Sequence, residues 1–79
     1  MSEAELHRLL LELRSRYTIP RRKAADALIA VGAPAVPGLI AALTDKNPDV
    51  QQTAADALER IATPEALAAL NHWRQASAE

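Results

Sequence analysis

The chain contains no cysteine, only two glycines, and a single tryptophan and tyrosine. Without cysteine there is neither a disulfide framework nor a thiolate metal site. Aromatic residues make up 3% of a chain whose hydrophobic fraction is 49%. Alanine and leucine therefore carry the apolar content, and a core built from them favours closely packed helices over sheets. No charge sign dominates: the formal net charge is −1, which gives no global pull toward nucleic acid or an anionic membrane. No apolar run approaches the length of a membrane span, and the acidic start "MSEAE" is not a signal peptide. The expectation is a soluble, cytoplasmic protein with no membrane partner, folded as one domain over residues 1–79.

Catalytic signals are missing too. His7 and His72 fall on the first and last helical segments, too far apart to share a site. Glu3 and His7 share one helical face, but two ligands without a third make a poor metal site. There is no glycine-rich phosphate loop, and no serine stands in a histidine–acid arrangement. The sequence predicts a non-enzyme with no cofactor and no metal.

What is present is a repeat. "AADAL" occurs at 24–28 and again at 54–58, and residues 24–34 match residues 54–64 at six of eleven positions. The apolar pattern extends the correspondence upstream. Leu6, Leu9, Leu10 and Leu13 are spaced as one face of a helix. Thirty residues on, the same slots hold Val36, Leu39, Ile40 and Leu43. Ala24, Ala27, Leu28 and Val31 recur as Ala54, Ala57, Leu58 and Ile61, a stripe expected to point into the stack.

Local punctuation agrees. Ser2 with Glu5 reads as a capping box, Thr18 as the N-cap of a second helix, and Asn47-Pro48 and Thr63-Pro64 as caps followed by first-turn prolines. Pro34 and Pro37 belong before or within the first turn of a third helix, and Gly32 ends the second. The predicted helices span 3–16, 19–31, 35–44, 48–61 and 64–77. Short links at a constant period make stacked hairpins, an all-α fold of the α-solenoid type. The units are 3–32 and 33–62, with a terminal capping helix within 64–79.

"LHRLLLEL" and "VPGLIAALTDKNPDVQQTAADALERI" resemble HEAT repeats, notably the bacterial HEAT-like repeats of phycobilisome lyase families. The resemblance implies a short right-handed solenoid of about two and a half hairpins. It also implies a role in binding proteins, or as a non-catalytic partner in a lyase-type complex. Such repeats tend to carry an aspartate in the turn and an arginine soon after, laddered between units. Asp45 and Arg21 occupy those slots here, but their counterparts are Ser15 and Gln51, which leaves one rung at most. Asn71 and Arg74 replace apolar residues in the last helix, a polar outer face suited to the end of a solenoid.

Three surfaces are candidates for partner contact. The resemblance places the second helix of each unit on a concave face. There Arg22, Asp26 and Ile29 of helix two would stand beside Gln52, Asp56 and Glu59 of helix four, as a site for a protein or peptide. Ile29 reads as an exposed apolar residue, since its counterpart is Glu59. The edges offer Leu11, which projects away from the leucine stripe and suits a homodimer, and Trp73, read as a cap on the last helix or as an anchor. The third is "RSRYTIPRRK", with five cations and no acid. Arg14 and Arg16 suit the end of helix one, whereas Arg21, Arg22 and Lys23 stand near the start of helix two, where cations are disfavoured. With Tyr17 among them they form an alternative nucleic-acid site, resembling the cationic faces of some helical-repeat DNA glycosylases.

Overall fold

The computed structural model describes residues 2–78. Five α-helices follow one another: α1 (Glu3–Leu13), α2 (Thr18–Val31), α3 (Val36–Ala42), α4 (Pro48–Ile61) and α5 (Pro64–Ala78). A short 3₁₀ turn, Ala33–Ala35, leads into α3, and there is no strand among the described residues. The residue closing the capping segment 64–79, Glu79, lies outside them. α1 pairs with α2 and α3 with α4; α2 packs along α4, while α5 packs on both α3 and α4. The result is a two-layer slab of 36 × 27 × 16 Å. The largest fully buried side chains among the described residues are Leu13, Leu28, Leu39, Leu58, Val36 and Val50.

Boundaries differ from the sequence reading for identifiable reasons. α1 ends at Leu13 rather than residue 16, because Arg14 and Ser15 donate to carbonyls three residues back and the Ser15 hydroxyl accepts the Tyr17 amide. A serine that bonds its own backbone competes with helix continuation. Thr18 is not an N-cap. Tyr17 holds that position without a side-chain bond, and the Thr18 hydroxyl accepts from Arg21 instead. α3 is only seven residues long, since Pro34 shapes the 3₁₀ turn ahead of it and Pro37 falls in its first turn. The expected caps at Ser2, Asn47 and Thr63 form: their side-chain oxygens accept from the amides of Glu5, Asp49 and Ala66. The inward stripe of helix two also shifts. Ala24, Ala25 and Leu28 are buried, whereas Ala27 and Val31 are half-buried.

The thirty-residue correspondence reaches individual hydrogen bonds. Ser15 Oγ accepts the Tyr17 amide at 3.1 Å, and Asp45 Oδ1, thirty residues on, accepts the Asn47 amide at 2.9 Å. Arg21 donates to the Ser15 carbonyl, just as Gln51 donates to the Asp45 carbonyl. In each unit one long side chain on the second helix thus ties down the turn that precedes it. The units differ in charge at this point, with the cation in the first and the carboxylate in the second.

That carboxylate links the units. Arg14 Nε donates to Asp45 Oδ2 at 2.8 Å, joining the end of α1 to the turn after α3. The surviving rung is therefore Arg14–Asp45 and not Arg21–Asp45. The backbone bond from Asn47 and then the Arg14 guanidinium hold the Asp45 carboxyl below its ordinary value of 3.8. A lowered folded-state value adds stability above the ordinary range, and this is lost as pH falls through the lowered value. Asp45→Asn should cost about 0.5–1 kcal/mol at neutral pH, because Arg14 is largely exposed, and should leave acid unfolding less pH-dependent below the ordinary carboxylate range. Urea melts at neutral and acidic pH measure both effects.

The two second helices end on equivalent residues of different kind. Gly32 has φ +79° and ψ −133°, a region only glycine enters readily, whereas its counterpart Ala62 has φ 56° and ψ 30°. Ala62→Gly should therefore stabilise the protein by about 0.5–1 kcal/mol, and Gly32→Ala should destabilise it by more than that. Thermal melts of the two variants should move in opposite directions.

Candidate functional site

Between α2 and α4 lies a groove of about 240 Å³. Its floor is Ala25, Ile29 and Ala57, and its walls carry Arg22 and Asp26 from α2, and Asp56 and Arg60 from α4. Local sequence explains the placement. Alanines where the two helices meet let the backbones approach closely, so the charged residues one step around each helix stand at the groove's rim rather than in separate patches. Only two ion pairs form among the described residues, Arg14–Asp45 and Arg74–Glu59, so Arg22, Asp26 and Arg60 carry charges without an internal counter-ion. Asp56 accepts from Gln52 Nε2 at 3.0 Å within α4. Charges of both signs thus face solvent around the half-buried Ile29, with Ala25 and Ala57 buried beneath them.

Of the six residues expected on the concave face, Arg22, Asp26, Ile29 and Asp56 come together here. Gln52 and Glu59 do not line the groove. Glu59 is held by Arg74 of α5 at 2.9 Å, so it ties α4 to α5 instead of standing free. Ile29 is corrected as well: it is half-buried and packs against the core rather than standing exposed. Sequence reasoning missed Thr53 and Arg60, which line the groove on α4. The signal for them was present, since Thr53, Asp56, Ala57 and Arg60 form one helical stripe.

The basic stretch is dispersed. Arg14 is engaged by Asp45. Arg16 lies over the Tyr17 ring, 5.3 Å from its centre, and donates to the phenol oxygen. Arg21, expected on the surface, is 6% exposed; it donates to the Ser15 carbonyl and Thr18 hydroxyl, and its Nε has no partner. It turns inward onto the carbonyl of the preceding turn, the same acceptor position that its counterpart Gln51 uses at Asp45. Arg22 and Lys23 remain exposed. Five neighbouring cations in sequence therefore make no continuous cationic face.

At the edges, Leu11 is 57% exposed, as expected. Trp73 is half-buried and packs on the core, which fits the cap reading of this residue. Ile19, not singled out from the sequence, is the most exposed large apolar side chain among the described residues, at 69%. No group of three potential metal ligands converges among the described residues, and no helix there is long and apolar enough to cross a membrane.

The family model describing HEAT repeats matches residues 6–79. It supports no narrower assignment to the phycobilisome lyase type. No curated protein and no solved structure matches the chain.

Proposed function

Because this chain belongs to the HEAT-repeat family, we propose that it is a non-catalytic interaction module whose α2–α4 groove docks a segment of a protein partner. Repeats of this family generally bind proteins. The observation that carries the reading is the groove itself: unpaired Arg22, Asp26 and Arg60 around the half-buried Ile29, the one apolar side chain of the lining that stays partly accessible. The fitting partner is an amphipathic segment with an apolar anchor flanked by charges of both signs. Nucleic acid fits less well, since Arg14 and Arg21 are engaged internally and two carboxylates line the groove. A role as a non-catalytic partner in a lyase-type complex would use the same groove.

The test is a photo-crosslinking residue at position 26, on the groove rim, or in separate variants at position 11 or 73, with capture from the source cell before and after nuclease treatment. The expected result is a protein adduct insensitive to nuclease. A nuclease-sensitive adduct assigns the site to nucleic acid, and adducts formed only from position 11 or 73 place binding at an edge.

A further inference from the structure

A second groove, independent of the first, opens between α1 and α2 on the N-terminal edge. Its volume is about 750 Å³, and its lining is mostly apolar: Leu6, Ala27, Ala30, Val31 and Pro34, with Ser2 and Glu3 at the rim. It shares no lining residue with the α2–α4 groove.

The internal repeat shows what such a groove accepts. Thirty residues on, Leu6 and Ala27 correspond to Val36 and Ala57. In the second unit both are buried, at 1% and 0% exposure, whereas in the first unit both are half-buried. For Ala57 the difference is the neighbour, because it faces Ala25 and Ile29 of α2 across the helix–helix contact, whereas no described residue packs on Ala27 from the other side. The open edge is thus the same interface without its other half, and its complement is a helix pair with a small apolar face.

We propose that the complement is a second copy of this chain, bound edge to edge about a two-fold axis. The chain's other end does not qualify. At the corresponding position the C-terminal edge has Glu59 in place of Ile29, held by Arg74, so head-to-tail stacking sets a carboxylate against Ala27 and Ala30. The N-terminal edge, by contrast, is apolar and complements itself, as a closed two-fold contact requires. Charge supports the antiparallel arrangement. Lys23 lies two turns before Ala30 on α2, while Glu3 lies beside Val31 and Pro34 at the far end of the groove, and neither has an ion partner among the described residues. A two-fold axis near Ala27 brings Lys23 of each copy to the Glu3 end of the other.

Sedimentation velocity across micromolar to millimolar protein concentration tests this on the full chain. The wild type should show a concentration-dependent monomer–dimer boundary. Ala30→Arg should sediment as a monomer with an unchanged melt, since Ala30 is exposed and its counterpart is Arg60. Lys23→Glu should weaken the dimer, and adding Glu3→Lys should restore it. A wild type that stays monomeric throughout, or a dimer unaffected by Ala30→Arg, overturns the proposal. Failure of the charge exchange to restore pairing overturns the two-fold arrangement.

Discussion

Leu58→Asp should abolish the fold. Leu58 is 0% exposed and lies in the last turn of α4, the helix on which α2, α3 and α5 all pack. Replacing a buried leucine with a small side chain costs about 3–5 kcal/mol. A carboxylate there adds a desolvation penalty of several kcal/mol with no cation placed to offset it. A chain of this size has a total stability of about 4–12 kcal/mol, and a small core places it toward the low end. Far-ultraviolet circular dichroism at room temperature should show the helical signal largely lost. Leu67→Asp is the matched control: Leu67 is 46% exposed on α5, and the variant should remain folded. A folded Leu58→Asp protein would mean the helices are packed in a different register.

How far the residues alone led depends on what set each feature. The five helices were legible because apolar spacing and caps act locally: Asn47 accepts the Asp49 amide, and Thr63 the Ala66 amide, as their positions before proline imply. The ends of α1 and α3 were less legible. A hydroxyl, at Ser15, and a proline-shaped 3₁₀ turn, at Ala33–Ala35, decide them over a few residues.

The groove was half legible for a geometric reason. Stacked helices show one stripe to the preceding neighbour and a different one to the next. α2 faces α4 with Arg22, Asp26 and Ile29, but α4 faces α2 with Thr53, Asp56 and Arg60. Reading equivalent positions on both helices found Asp56 and gave Gln52 and Glu59 in place of Thr53 and Arg60. The fate of Arg21 and Glu59 was illegible, because each is set by a residue on another element or turn, the Ser15 carbonyl and Arg74. Ile29 misled because an apolar residue opposite a glutamate counterpart looks exposed, whereas the alanines of α4 leave room for it to pack.

The second large effect falls on binding and not on stability. Arg22→Glu combined with Asp26→Lys exchanges the charges on the α2 wall while keeping net charge and an opposite-charge pair one turn apart. Both side chains are exposed and neither makes an ion pair among the described residues, so the melting temperature should move little, within about 0.5 kcal/mol of stability. A partner segment that matches the groove's charges meets like charge at two points after the exchange. Loss of groove contacts of this kind weakens affinity by roughly 2 kcal/mol or more, about 30-fold. Near-wild-type capture by a folded exchange variant would show that the α2 wall does not contact the partner.

The central claim, that the α2–α4 groove is the docking surface, is tested most directly by amide chemical-shift mapping of the labelled protein titrated with its captured partner. The largest changes should fall on Arg22, Asp26, Ile29, Thr53, Asp56 and Arg60, leaving Leu11 and Trp73 near their free positions. Changes centred on Leu11, Trp73 or the Arg16–Tyr17 corner, with the groove amides unmoved, would contradict it.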